Sequence, residues 1–231
     1  SALASTVLGS SAVIFSPHPR TKGTTNEVVR IMREVLEREG APADLFQCIE
    51  QPSIPVSQYL MASCDMVLAT GGKAMVKAAY SSGKPAFGVG AGNSTIVIDE
   101  TADIEEAARN TMLSKTSDFG SGCSADGNVL VASSIYEAFR DQLIAEGGYL
   151  ANEEEKALLE RAMWDENGNR TLNTVAQAAP KLVAEAGFSI PDDRKFIIVE
   201  QSEIGPEHRF SGEKLTTLLA LYSWDTFDQA L

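Results

Sequence analysis

Paired cysteines are missing from this sequence. Its three cysteines, Cys48, Cys64 and Cys123, are odd in number and show neither CxxC nor Cys/His spacing. Neither a disulfide framework nor a zinc site is therefore implied, and a reducing, cytoplasmic compartment is expected. Long apolar runs are missing too: no stretch approaches the length of a membrane span, and the first residues show no charged region followed by a signal-like core. Positive charge is scarce, with 19 Lys and Arg against 32 Asp and Glu, a formal net charge of −13. Nucleic-acid binding needs a surplus of Lys and Arg facing phosphates, so that role is disfavoured. A nucleotide cofactor stays open, because backbone N–H groups and helix N-termini can meet its phosphates locally. No fixed-period repeat marks a solenoid.

What remains is an α/β pattern. With 231 residues, 44% of them hydrophobic, the chain can bury one large core or two modest ones. Strand AVIFS leads to a helix over Thr24 to Glu39, with Val28, Val29, Ile31, Met32, Val35 and Leu36 on one face and Gly40 as its stop. A strand at Leu45–Ile49, a helix at Val56–Ala62, strand DMVLA, a helix at Lys73–Ser82 and a strand at Ala86–Val89 continue the alternation. Strands interleaved with helices predict a parallel, doubly wound sheet. After the run Thr95–Ile98, Asp103-x-x-Glu106 has the form of a capping box opening a helix to about Ser114. A Gly/Ser/Asp-rich loop with Cys123 comes next, then strand NVLVA, a helix from Ser134 to Glu146 and another after the cap Asn152. A further helix over Thr174–Glu185 contains Pro180, which kinks it or splits it. Strands FIIVE and LLALY close this block. The domain boundary is expected near Glu100. Both ends look cut: SALASTVLG resembles a helix tail, and TFDQAL enters a helix without a C-cap.

Four segments can carry chemistry. Ser16-Pro17-His18-Pro19-Arg20 follows a strand and precedes a helix whose N-terminus can receive an anion, although a proline-stiffened turn explains it equally well. Ala69-Thr70-Gly71-Gly72-Lys73 has the same placement, and its glycines permit close backbone approach to a pyrophosphate or nicotinamide; a plain tight turn is the simpler reading. Gly88-Val89-Gly90-Ala91-Gly92-Asn93 imitates a dinucleotide fingerprint but leads into a strand, so a close-packed backbone crossing beneath an active site suits it better. Cys123 sits in Gly120-Ser121-Gly122-Cys123-Ser124-Ala125, a small-residue loop open to substrate, whereas Cys48 and Cys64 lie in apolar contexts typical of inert thiols.

IFSPHPR, LATGGKAMVKAAYSSGKPAFGVGAGN, VIDETADIEEA, SKTSDFGSGC and GEKLTTLLALY, in this order, resemble the aldehyde dehydrogenase superfamily, specifically its coenzyme A-acylating branch. That branch includes the dehydrogenase half of bifunctional aldehyde-alcohol dehydrogenases and microcompartment enzymes. The resemblance implies a partial nicotinamide-cofactor domain over residues 1–100 and a catalytic domain over residues 101–231. It places Thr70, Gly71, Gly72 and Gly90 beside the nicotinamide, Ser16 to Pro19 at the adenosine end, Glu213 on the nicotinamide-side ribose, and Cys123 as nucleophile. The implied cycle takes a small aldehyde through a Cys123 thioester, with NAD or NADP accepting hydride and coenzyme A accepting the acyl group. Hydrolytic relatives place a glutamate base where Val89 stands here; without it water is a poor nucleophile, whereas a thiol attacks thioesters readily. Pro19 stands where a ribose-binding glutamate is common, which leaves room for a 2′-phosphate that Arg20 can pair with. The chain departs from the family at Gly212, where a histidine is common, at Thr217, where a proline is, and in Asp126-Gly127-Asn128 after the cysteine. The family's oxyanion-supporting asparagine would lie upstream of Ser1, leaving backbone N–H groups near Cys123 for that role. MWDENGNRT and GPEHRFSGEK resemble the acylating sulfoacetaldehyde enzymes, for which Arg209, Lys214 or Arg170 would meet the sulfonate. A homo-oligomer is expected, with filament or microcompartment association as further options and no membrane partner. A non-catalytic assembly subunit of the same fold and a hydrolytic enzyme are the competing readings.

Overall fold

The computed structural model describes residues 11–90 and 92–231, so the expected helix tail in SALASTVLG lies outside the described residues. The chain divides into two compact units, Ser1–Gly90 and Ala91–Leu231. In the first, β1 (Val13–Phe15) pairs in parallel with β2 (Phe46–Cys48) across α1 (Lys22–Arg38). After α2 (Ile54–Ser63), β3 (Val67–Thr70) pairs in parallel with β4 (Ala86–Val89) across α3 (Lys73–Tyr80). Ser53 caps α2 by accepting a hydrogen bond from the Val56 N–H at 3.4 Å. On α1 the single expected apolar face splits. Val29 is buried, with Met32 and Leu36 half-buried beside it, while Val28, Ile31 and Val35 stay 39–47% exposed.

The second unit is built on one parallel sheet in the order β5-β6-β9-β8-β7, comprising Thr95–Ile98, Asn128–Ala132, Leu218–Trp224, Phe196–Glu200 and Gly148–Leu150. Residues β5 contributes pair Thr95 with Asn128 through Ile98 with Val131, which takes this strand into the second unit. The division therefore falls at Gly90–Ala91 rather than near Glu100. Buried on both faces, β8 and β9 read as continuous apolar runs, as central parallel strands must. Alternate residues feed two cores: Ile197, Val199, Leu218 and Ala220 pack with Leu159 of α6 (Glu153–Met163) and Leu182 of α7 (Ala179–Ala186). Ile198, Leu219 and Leu221 pack on the other side with Met112 of α4 (Ile104–Thr116) and Phe139 of α5 (Tyr136–Ala145).

Helix starts follow their caps. Asp103 accepts from the Glu106 N–H at 3.0 Å, and Asn152 and Glu155 form a complete reciprocal capping box, each bond 3.0 Å. The helix expected over Thr174–Glu185 is shorter. Ala176 turns into the left-handed region (φ 53°), its N–H donates to Leu215 O, and α7 begins only at Ala179, with Pro180 in the first turn where its missing N–H costs nothing. The short edge strand β7 carries no clear apolar period in the sequence. A Cβ on its Gly148 would lie 2.6 Å from Ile198 Cδ1, so glycine lets the strand seat against β8. After β9 the chain enters α8 (Phe227–Ala230), capped by Thr226.

Candidate active site

Three loops that precede β5, β6 and β9 meet at the amino-terminal edge of the second unit's sheet. Asn93 and Ser94 lead into β5, Cys123 to Gly127 into β6, and Glu213 to Leu215 towards β9; together with Lys115 of α4 they line one crevice. This is the opposite edge from the carboxyl-end crevice that open α/β sheets commonly use. The Cys123 loop is fastened at its far side, where the N–H groups of Gly127 and Asn128 both donate to Ser94 O, at 2.9 and 3.1 Å, and the Asp126 N–H donates to Ser114 Oγ. Its near side is free: Cys123 is exposed, and its N–H and that of Ser124 make no hydrogen bond among the described residues. Cys48 and Cys64 are half-buried in the first unit, and burial together with Glu50 pushes the Cys48 thiol up, against nucleophilic use.

The turn that delivers the loop is strained. Asp118, Phe119 and Gly120 are consecutively left-handed, and a Cβ at Gly120 would stand 2.4 Å from Thr216 O. Glycine there lets the cysteine loop press against the segment that carries Glu213. Glu213 is half-buried at the crevice. Lys214 is 1% exposed; its Nζ donates to Asn128 Oδ1 at 2.9 Å and Gly212 O at 2.8 Å. Asn93 and Asn128 both donate side-chain N–H to Ser211 O, so one carbonyl ties the three loops together. Burial, reinforced by Lys115 and Arg170, holds the Lys214 amine well below the usual lysine range. Lys115, also 1% exposed, is pulled down by burial to about 8 while the Asp126 carboxylate acts in the opposite sense.

Of the cations weighed for a sulfonate, only Lys214 reaches the crevice. Arg170 is corrected from substrate contact to scaffold: its guanidinium donates to Met163 O, Thr174 Oγ1, Thr174 O and, from two nitrogens, Lys214 O, and lies 5.0 Å over the Trp164 ring. That uses all five of its N–H donors. Arg209 faces Glu160 and Asp165 O away from the crevice lining.

The remaining site residues lie in the first unit, on loops at the carboxyl ends of its strands. Ser16 Oγ is 2.8 Å from Ser57 Oγ, Pro17 is half-buried, and His18 and Pro19 are exposed in a turn closed by Thr21 N–H donating to His18 O. Thr70 ends β3; the Gly71 N–H donates to Val89 O, and Gly72 caps α3. Gly72 has an ordinary φ of −66°, and a Cβ there would meet nothing within 4 Å, so the chain's own packing does not demand glycine; a ligand lying against the backbone would. Gly90 is exposed just past β4. Gly88 has a different reason, since a Cβ would come within 2.6 Å of Val76 on α3. No group of three or more His, Cys, Asp or Glu able to hold a metal exists among the described residues. No helix among them is long and apolar enough to cross a membrane.

Sequence reasoning missed Lys115, Asn93 and Asn128. Lys115 reads as an ordinary last-turn cation, and nothing but tertiary packing marks it as buried.

An all-parallel α/β sheet here carries an exposed cysteine on a strained loop beside a half-buried glutamate, an arrangement open to nucleophilic chemistry at sulfur. The chain belongs to the aldehyde dehydrogenase family, whose model matches residues 1–155. It is 44% identical over 223 residues to the bifunctional aldehyde-alcohol dehydrogenase AdhE of Escherichia coli, covering 96% of this chain and 25% of that protein. To a sulfoacetaldehyde dehydrogenase of Acholeplasma sp it is 42% identical, covering 96% and 46%. Among solved structures it superposes on an acetylating aldehyde dehydrogenase from Geobacillus thermoglucosidasius with a TM-score of 0.92 at 42% identity, covering 95% of this chain and 49% of that one. A Rhodopseudomonas palustris propionaldehyde dehydrogenase, solved with bound CoA and an acylated cysteine, superposes at 0.87 with 32% identity, covering 95% and 50%. An engineered glycolyl-CoA reductase with bound NADP+ does so with the same four values. The chain thus spans about half the length of these solved relatives and a quarter of the bifunctional one.

Proposed function

We propose that the protein to which this chain belongs oxidises a small aldehyde to its acyl-CoA through a thioester on Cys123. The observation that carries this reading is the exposed Cys123 on its glycine-bounded loop, sharing a crevice with Glu213. The Cys123 sulfur attacks the aldehyde carbon, and the free N–H groups of Cys123 and Ser124 are the donors at hand for the oxyanion that forms. A bound nicotinamide, NAD or NADP, supplies the hydride acceptor. Within the first unit Gly71 and Gly72 leave backbone open to a ligand, and the Ser16–Pro19 turn is the candidate for an adenosine end; within the second, the Glu213 carboxylate is the candidate for a ribose, as the family resemblance implies. What remains on Cys123 is a thioester, which coenzyme A discharges.

Coenzyme A rather than water is favoured because the family's glutamate base position is Val89, a side chain that cannot activate water. Solved relatives with bound CoA, with an acylated cysteine and with NADP+ support the same reading. The Lys214 amine is engaged by Asn128 and Gly212, so it is not free to meet a sulfonate. In the full-length protein, Cys123→Ser should abolish acyl-CoA formation while nicotinamide binding, followed by fluorescence titration, is retained. Turnover by that variant would remove the assignment of the nucleophile.

A further inference from the structure

The crevice holds a second reactive group that the cycle above does not use. Lys115, in the last turn of α4, has 1% of its surface exposed and lines the same crevice as Cys123. Lys214, its buried neighbour, differs in being committed as a donor to Asn128 Oδ1 and Gly212 O. Lys115 is not held in this way, and about one-tenth of an amine at about 8 carries a free lone pair at pH 7. Resting on the proposed function, we propose that Lys115 is the base of thioester exchange, taking the proton of the coenzyme A thiol as that sulfur attacks the acyl carbon on Cys123.

In this step the S–H bond of coenzyme A breaks as an N–H bond forms on Lys115. A new carbon–sulfur bond forms to coenzyme A, and the one to Cys123 breaks. The proton then passes from the Lys115 ammonium to the departing Cys123 sulfur, which restores amine and thiol. Other groups at the crevice are less suited. Glu213 carries the ribose role in the proposed function, and Lys214 is held by Asn128 and Gly212. The charged groups around Lys115 are Asp126, whose carboxylate accepts from Ser94 Oγ at 3.4 Å, and Lys214. With burial bringing the amine to about 8, it lies close to a free thiol at ~8.5, so the proton moves between near-equals, where general-base catalysis works best.

The test uses the full-length protein with Cys123 acetylated by p-nitrophenyl acetate, a loading step that needs neither cofactor nor coenzyme A and that gives the folded fraction of each variant. Discharge by coenzyme A is then followed from pH 6.5 to 10 for wild type, Lys115→Met and Lys115→Arg. A thiol of pKa ~8.5 is only about 3% ionised at pH 7, against roughly 10% of an amine at about 8 that is free base there, so both variants should be slowed about threefold at pH 7. They should converge on wild type by about pH 9.5, where the thiolate forms without help. Unchanged pH profiles, or a loss uniform across pH as a purely structural role would give, overturn the base assignment while leaving the acylating reading intact. Failure of coenzyme A to discharge even the wild-type acetyl-enzyme defeats that reading and this inference together.

Discussion

Lys115 and Lys214 show what one residue's burial does to the rest of the protein. Both amines are held below their unfolded values, so the folded state binds fewer protons than the unfolded chain once pH passes their folded values, and stability rises with pH until the unfolded chain also deprotonates near 10.5. For Lys115 the window runs from about 8 to the ordinary lysine value of 10.5. Above about 10 it is opposed by Tyr136 and Tyr222, whose phenols burial pushes up, because the unfolded tyrosines then ionise first. Charging Lys115 inside the fold costs roughly 3 kcal/mol. Lys115→Met should therefore raise the urea midpoint at pH 7, with the gain shrinking as pH climbs past 8. A constant gain across that range would show that the effect is packing rather than charge. The exposure of the Cys123 thiol, by contrast, was readable in the sequence, because Gly120, Gly122 and the serines around it leave nothing to enclose it.

At the scale of elements, the site depends on loops that precede strands, and on the backbone that lets them touch. Gly120 combines a φ of +65° with a contact that leaves no room for a methyl group, its nearest neighbours being the carbonyls of Thr216 and Lys115. Backbone carbonyls cannot swing aside as a side chain's end can. Gly120→Ala should lower stability by about 1–3 kcal/mol or more and slow alkylation of Cys123 by iodoacetamide, since the cysteine loop must lift off the Glu213 segment. Wild-type values for both would show that the two segments have slack. Helix caps were legible at this scale: Asn152 and Asp103 both open helices where expected, although Asp103 accepts from the Glu106 N–H without the reciprocal bond of a full box, which forms instead between Asn152 and Glu155. The start of α7 was not, because Ala176 is drawn out of helix by its bond to Leu215 O, a partner 39 residues away that no local pattern shows.

Across the whole molecule the two units are unequally enclosed. The second has two cores on either side of β8 and β9, whereas the first rests on two separate two-stranded sheets and leaves Ile14, Val28, Ile31, Leu68, Phe87 and Val89 between 40% and 62% exposed. Paired strands alone are marginal in water. In the 231-residue chain, amides of β6, β8 and β9 should exchange with deuterium at least about 100-fold more slowly than those of β1 to β4; equal protection would mean that the first unit is as well supported as the second. The sequence by itself determined the alternation of strands and helices, their parallel pairing, the family and the exposed sulfur, because periodicity, caps and small-residue loops act over a few neighbouring positions. Only the tertiary structure decided that Arg170 is scaffold and that Lys115 is buried at the crevice Cys123 lines. Burial and hydrogen bonding join residues tens of positions apart, and a charged side chain is written in the sequence in the same way whether water surrounds it or not.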